Sequence, residues 1–310
     1  MNKPDVLIIG AGPAGLSAAI YTARSGLATV IYEKGFPGGL ANTTDAIANY
    51  PGFPDSISGM ELGERMRKQA EQFGAVIVIR AIDRLWREDE RIHARVGDET
   101  VTARAAIVAT GSVPRKLGVM GEGELMGRGV SYCATCDGPL YGGKPTAVIG
   151  GGDSALQEAL FLSRFSSKVT VIHRRDELRG AAVLEAAVRE NPKIELALDK
   201  KVKAIEGTEA VTGVAVEDKK TGAGDTIRAD GVFIYVGYSP SVEMLGPEFE
   251  RTEKGFLIAR EGLATSVPGV FVAGDVREKT LKQVVTAAGD GALAATSVYE
   301  YLEGPQPERT

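Results

Sequence analysis

The sequence predicts an α/β protein of two parallel-sheet domains, one inserted into the other. Three observations predict it. An apolar strand running into a glycine-rich turn and a helix occurs twice, starting near Val6 and near Thr146. A second apolar strand follows each helix, at Thr29–Glu33 and Lys168–Ile172. Two further strand ends, at Ala109-Thr110-Gly111 and Gly274-Asp275, fit the first unit, yet the whole second unit lies between them.

Residues 5–9 read as a buried parallel strand. Residues 10–15 are a full Gly-x-Gly-x-x-Gly, and a helix begins at Leu16. Gly10 permits the tight turn, Gly12 lets a pyrophosphate approach the backbone, and Gly15 lets helix and strand pack closely. The helix N-terminus faces the phosphates, and Glu33 at the end of the next strand suits a ribose diol. The arrangement is Rossmann-like, a three-layer ββα dinucleotide-binding domain, and its acid suits FAD.

The second unit repeats the plan. Residues 146–149 are the strand, and Gly150, Gly151, Gly152, Asp153 and Ser154 make the turn, with Ala155 where the third glycine stood. Glu33 stands 23 positions after Gly10, and the same offset from Gly150 falls on His173. His173 opens a basic run with Arg174, Arg175 and, a turn later, Arg179. A carboxylate there would repel a 2′-phosphate, whereas guanidinium groups pair with it, so this unit suits NADPH over NADH. The bland alternative is a solvated helix start.

In the C-terminal third, residues 264–275 read as a turn, a buried strand and a terminal Gly274-Asp275, whose acid suits a sugar or ribityl hydroxyl. Residues 287–292 then read as the start of an apolar helix. The order implies that the chain leaves the first domain near residues 111–116, builds the second, and returns near 246–252. Pro114, Gly118, Gly121 and Gly123 read as linker at the first crossing, and residues 237–240 mark the second. This gives a first domain of residues 1–113 and 247–310 and an inserted domain of 114–246. Residues 222–225 read as a hairpin tip between strands at 211–219 and 226–236. Trp86 and His93 read as packing and strand-face residues of an 81–96 strand region. The alternating charges of 61–67 read as a solvated helix face, and the tail 304–310 as disordered.

Composition limits the function classes. The 310 residues are 44% apolar and 25% charged, the balance of a soluble globular protein. A net charge of -5 without a basic stripe argues against nucleic acid. Residues 6–23 form an uncharged run at the membrane-span threshold, but the glycines and Pro13 in it fit a strand–turn–helix, and no basic leader precedes it. No membrane association is expected. Two cysteines make no disulfide scaffold, so a reducing cytoplasm is the expected setting. Those two, Cys133 and Cys136, stand in one Cys-x-x-Cys followed by Asp137-Gly138. The spacing lets both thiols meet across one turn and form a disulfide reversibly, and Asp137 is placed to exchange the proton. Zinc would need four ligands, and only His93 and His173 remain to supply them.

Residues 10–15, Gly38-Gly39, Asn49 to Gly52, 133–138, 150–155, 173–179 and Gly274-Asp275 together resemble the low-molecular-weight, bacterial and archaeal thioredoxin reductases, class II pyridine nucleotide-disulfide oxidoreductases, over residues 4–303. The Cys-x-x-Cys-Asp-Gly in the nicotinamide-nucleotide domain is the most specific part. The resemblance implies that NADPH reduces FAD, reduced FAD reduces the Cys133–Cys136 disulfide, and the dithiol reduces thioredoxin or a thioredoxin-like protein by exchange. It implies that Cys136 lies nearest the flavin, Cys133 attacks the partner, Asp137 is the acid/base, the domains swing between steps, and the enzyme is a homodimer. It places Gly10, Gly12, Pro13, Ala14, Gly15, Glu33, Lys34, Gly38, Gly39, Leu40, Asn49, Ala109, Thr110, Gly111, Gly274, Asp275, Lys282, Gln283 and Val284 against FAD. It places Gly150, Gly152, Asp153, Ser154, His173, Arg174, Arg175 and Arg179 against NADPH. Leu40 replaces a family glutamine and Lys282 a family arginine, which bears on the flavin environment. The alternatives are a related reductase for another acceptor, which in the peroxide-system case would bring an extra N-terminal module not expected here, and a non-catalytic FAD-binding redox sensor.

Overall fold

The computed structural model describes residues 3–44 and 47–304. The chain divides into two compact units, Met1–Val113 with Ser239–Thr310, and Pro114–Tyr238.

The first unit is built on a parallel sheet whose strands run in the order Val270–Val272, Ala105–Val108, Val6–Ile9, Thr29–Glu33, Val76–Ile79. Alternate residues of one strand serve opposite faces. Val6 and Ile8 join Ile31, Ala105 and Ile107 beneath the helices Pro13–Arg24, Gly59–Gln72 and Val284–Glu303. Leu7 and Ile9 face the other way, packing with Leu85, Ile92, Ala94 and Val96 of an antiparallel sheet, Arg84–Glu88, Arg91–Val96 and Glu99–Ala103. Covered on both faces, the central strands need no polar alternation, which is why they read as unbroken apolar runs.

The second unit repeats the three layers. Its parallel sheet runs Ile194–Ala197, Lys168–Ile172, Pro145–Gly150, Gly231–Tyr235, Val130–Ser131. Val148, Val169, Val171 and Phe233 pack under the helices Asp153–Leu162 and Ala182–Glu190. Ala147, Ile149, Val232 and Ile234 pack on the antiparallel sheet Lys200–Gly207, Val211–Asp218, Gly224–Arg228.

Four sequence expectations need correction. The run at 226–236 is not one hairpin strand: Gly224–Arg228 pairs with Val211–Asp218, and Gly231–Tyr235 enters the parallel sheet. The switch falls at Asp230, whose N–H donates to Pro145 O at 2.9 Å. The last helix begins at Val284, ahead of the expected Ala287. The return to the first unit falls at Ser239 rather than near 246, because Ser241 N–H donates to Gly111 O and Leu85 N–H to Met244 O. Residues 117–123 are not a free linker. Ile205 N–H donates to Met120 O, and a Cβ on Gly121 would lie 1.9 Å from Ile205 O.

The charges expected on a helix face pair along Gly59–Gln72 as Glu61–Arg65, Glu64–Arg67 and Glu71–Arg67, in partly or largely exposed geometry worth little stability. Trp86 and His93 stand opposite each other on adjacent strands with stacked rings 5.5 Å apart. The tail residues 305–310 lie outside the described residues.

Candidate active and nucleotide sites

In the first unit the glycine turn is dictated by close approach. Gly10 has φ +101°, and a Cβ there would lie 2.5 Å from Ala109 O. A Cβ on Gly15 would lie 1.8 Å from Gly10 O, so helix and strand touch only without it. At Gly12, by contrast, a Cβ would meet nothing nearer than Gly39 Cα at 3.9 Å. That is the room a pyrophosphate needs above the turn. Pro13 and Ala14 open the helix, and Gly274 (φ +81°) seats against Ala14, where its Cβ would come within 2.8 Å. Glu33 closes the site's edge: its carboxylate accepts from Ala11 N at 2.7 Å and Gly35 N at 2.8 Å. Gly38 N–H donates to Ala11 O at 2.7 Å, which draws Gly38 and Gly39 over the turn. Lys34 and Leu40 are exposed beside it.

The remaining predicted flavin residues of this unit fall at Asn49 and on the short segments 109–111, 274–275 and 282–284. Thr110 donates to Ser241 O at 2.6 Å, which fixes the strand end that Ala109 and Gly111 flank. Asp275 Oδ1 is buried without a hydrogen bond, and the Lys279 ammonium lies 3.3 Å from it. Lys282 donates to Asp275 O and Arg277 O at 2.8 and 3.2 Å and stands 3.9 Å over the Phe256 ring. Burial lowers its pKa against the opposing pull of Asp275. Gln283 precedes Val284 at the helix start and accepts from Asn49 Nδ2 at 3.1 Å.

A buried ionic cluster that the sequence reading missed sits behind Gly274. Asp290 accepts from Gly274 N at 3.0 Å, takes two bonds of 2.8 Å from Arg277, and lies 3.2 Å from Lys279. Burial works against its charge, but Arg277 and Lys279 outweigh burial and hold the carboxyl below the usual range.

In the second unit a Cβ on Gly150 would lie 2.5 Å from Tyr235 O, while one on Gly152 would meet nothing within 4 Å. The second turn thus has the same tight base and open rim as the first. Asp153 begins the helix and accepts from Ala181 N at 2.6 Å; Ser154 follows it. His173 is buried under the turn, where a Cβ on Gly151 would strike its ring at 2.5 Å, and its Nε2 is an orphaned polar atom. Burial, then Arg179, Arg175 and Arg174, lower its pKa, so the imidazole is neutral at pH 7. Arg174, Arg175 and Arg179 are exposed, and Arg179 N–H donates to Gly151 O at 2.6 Å, curling the basic segment back to the turn. An open glycine rim beside exposed guanidiniums fits a phosphorylated dinucleotide.

The same unit carries the cysteines. Cys133 and Cys136 form a disulfide with Cα atoms 5.3 Å apart, at the start of the single turn Ala134–Asp137. Cys136 N–H points at Cys133 Sγ at 3.1 Å, and Asp137 N–H donates to Cys133 O. Two hydroxyls hold the turn's leading amides: Ser131 Oγ accepts from Cys133 N at 3.0 Å and the Tyr235 hydroxyl from Ala134 N at 2.9 Å. Just ahead, buried Glu122 accepts from Leu117 N, Gly118 N and the Tyr132 hydroxyl. Burial raises Glu122, but the bonds from Tyr132 and the loop amides bring it below the usual carboxylate range. Sequence reasoning missed Glu122, Ser131 and Tyr235; only the placement of Ser131 and Tyr132 beside Cys133 offered a cue.

Residues 4–291 match the family model for pyridine nucleotide-disulphide oxidoreductases. The chain belongs to that family. It is 46% identical to the thioredoxin reductase of Bacillus subtilis over 96% of this chain and 95% of that one. It is 44% identical to the thioredoxin reductase of Treponema pallidum, covering 96% and 97% of the two chains. Among solved structures, thioredoxin reductase of Lactococcus lactis superposes with a TM-score of 0.95 at 39% identity, over 98% of this chain and all of that one. The T. acidophilum enzyme gives 0.93 at 36% identity, covering 97% and 99%. The α/β architecture of two Rossmann-like units is that of these enzymes. Among the described residues no group of side chains could hold a metal ion, and no helix is long and apolar enough to cross a membrane.

Proposed function

We propose that the protein is an NADPH-dependent flavoprotein disulfide reductase that reduces oxidised thioredoxin or a thioredoxin-like protein. The observation that carries this reading is the Cys133–Cys136 disulfide within the unit that holds the Gly150 turn and the arginine run. FAD, when bound at the Gly10 turn, supplies the means of converting a hydride from the nicotinamide into the two electrons a disulfide takes up. Glu33 orients the ribose diol, the open rim at Gly12 receives the pyrophosphate, and Asp275 meets a sugar or ribityl hydroxyl. Arg174, Arg175 and Arg179 hold the 2′-phosphate of NADPH. Once opened, Cys133 as thiolate attacks the partner's disulfide. One partner sulfur leaves and takes up a proton, and a mixed disulfide forms. Cys136 then attacks that bond, releasing the reduced partner and restoring Cys133–Cys136. Asp137 exchanges the protons. A homodimer and a cytoplasmic setting belong to the same proposal.

The test is NADPH oxidation by purified, FAD-reconstituted protein with a panel of thioredoxin-like acceptors. Turnover with at least one acceptor, abolished in Cys133→Ser, is expected. A flavin-loaded protein whose NADPH oxidation is indifferent to every acceptor would leave the redox-sensor reading instead. Gly12→Ala tests the flavin assignment. The added methyl meets no protein atom within 3.9 Å, so the variant should fold normally yet bind FAD poorly. Normal FAD retention would remove the pyrophosphate from that turn.

A further inference from the structure

We propose that Tyr235 is the positioning residue that sets the reducing power of the Cys133–Cys136 pair. Its hydroxyl accepts from Ala134 N, the amide that follows Cys133, at 2.9 Å. Ala134 is 0% exposed, so that N–H has no ready water to replace the phenol. The hydroxyl is in turn carried by a fixed part of the fold. Tyr235 ends a strand of the parallel sheet, is paired in register with Gly150, and presents its carbonyl where any Cβ on Gly150 would clash at 2.5 Å. Burial, then the Glu158 carboxylate, raise its pKa far above the tyrosine range, so it stays a neutral hydroxyl at every working pH. A side chain anchored in the sheet thereby pins a one-turn element that has little structure of its own.

The consequence falls on the balance between disulfide and dithiol. Opening the S–S bond takes two electrons and two protons and leaves two thiols. In the disulfide the turn is held covalently; in the dithiol only hydrogen bonds hold it. With the Tyr235 bond in place, the dithiol keeps its sulfurs apposed, and closure costs little ordering. Without it, the disulfide must leave a buried amide unpaired, whereas the dithiol turn can shift and find water. Loss of the hydroxyl therefore favours the dithiol and weakens it as a reductant.

The inference rests on the reading that this pair cycles, but its test needs neither flavin, nucleotide nor thioredoxin. Wild type and Tyr235→Phe, which keeps the ring and removes only the hydroxyl, are equilibrated with mixtures of dithiothreitol and its cyclic disulfide. Dithiothreitol supplies the electrons and protons and leaves as the ring. Thiols are trapped by alkylation and counted by mass. The expected shift is about tenfold toward dithiol, a potential about 30 mV less negative. No shift, or a shift toward disulfide, overturns the inference. A wild-type pair that never opens in the titration would instead overturn the proposed function. A purely structural role would lower the melting temperature of both redox forms alike and leave the potential where it was. If Tyr235→Phe does not fold, amide exchange in the wild-type dithiol form decides. Protection of Ala134 N–H is expected, and exchange there at the free-chain rate overturns the inference.

Discussion

The arginine run offers the most direct test of nucleotide choice. The double variant Arg174→Ala, Arg175→Ala removes two guanidiniums that are exposed and make no ion pair with another described residue. No internal partner is orphaned by the change, so its effect on the fold should be negligible. Each charge-assisted bond to a phosphate is worth about tenfold in affinity at the low end of its range, the end that solvent exposure imposes. The pair should thus raise the NADPH Michaelis constant about a hundredfold, with NADH changed less than about twofold, since NADH has no 2′-phosphate to lose. The assay is steady-state kinetics with saturating thioredoxin, repeated at rising salt. Wild-type NADPH affinity should weaken with ionic strength, and the variant's, with only Arg179 left at the rim, should weaken less steeply. An equal rise for both nucleotides, or a preference for NADPH that survives undiminished, would refute the placement of Arg174 and Arg175 by register.

Cys133→Ser and Cys136→Ser should each abolish thioredoxin reduction while leaving NADPH-dependent flavin bleaching intact, because that step needs no thiol; rapid-mixing absorbance separates the two half-reactions. Asp137→Asn should be milder, slowing turnover by about 10²–10⁴-fold, with Michaelis constants for NADPH unchanged. Asp290→Ala should lower stability by about 3 kcal/mol in a denaturant titration, since it leaves Arg277 without its carboxylate in a partly buried site, while Lys279 keeps Asp275. The folded pKa of Asp290 lies below its unfolded value. Its stabilisation is therefore full above about pH 4 and lost as pH falls through the folded value. Asp290→Asn should flatten that acid-side loss.

Much of the fold was legible because the parallel strands are buried on both faces and the glycines sit where backbone meets backbone. Gly10, Gly15 and Gly150 all read correctly as turn and contact glycines for that reason. Two of the misreadings share a cause as well. Residues 287–292 read as a helix start, yet Gly289 and Gly291 lie inside the helix, and at Gly291 a Cβ would meet Ala14 O at 2.1 Å. It serves the contact between the first and last helices of its unit. Gly121 resembled linker and is likewise a contact glycine. A single sequence cannot separate a glycine that turns the chain from one that lets two segments touch. At the site, Cys133 and Cys136 were legible through spacing. Tyr235 was not, because its partner Ala134 is 101 positions away and only strand register brings them together.

The two glycine turns differ in what stands at the position proposed to set nucleotide choice. In the first, Glu33 is part of the turn's own framework, since both carboxylate oxygens take backbone amides from residues 11 and 35. In the second, the matching residue gives the turn a floor rather than an acceptor: the neutral His173 ring lies under Gly151, which a larger residue could not replace without displacing it. The framework bond there runs the other way, from Arg179 N to Gly151 O. That bond folds residues 174–179 back toward the turn, so the guanidiniums of Arg174, Arg175 and Arg179 start from a backbone already curved around the nucleotide rim. On the proposed NADPH assignment, selectivity for the 2′-phosphate would rest on the curl as much as on the charges. His173→Glu alone should destabilise the turn by burying a carboxylate without conferring NADH preference, because Arg179 N would still hold the arginines in place. A clean gain of NADH use from that single change, at unaltered stability, would show that the charge at this one position governs the choice.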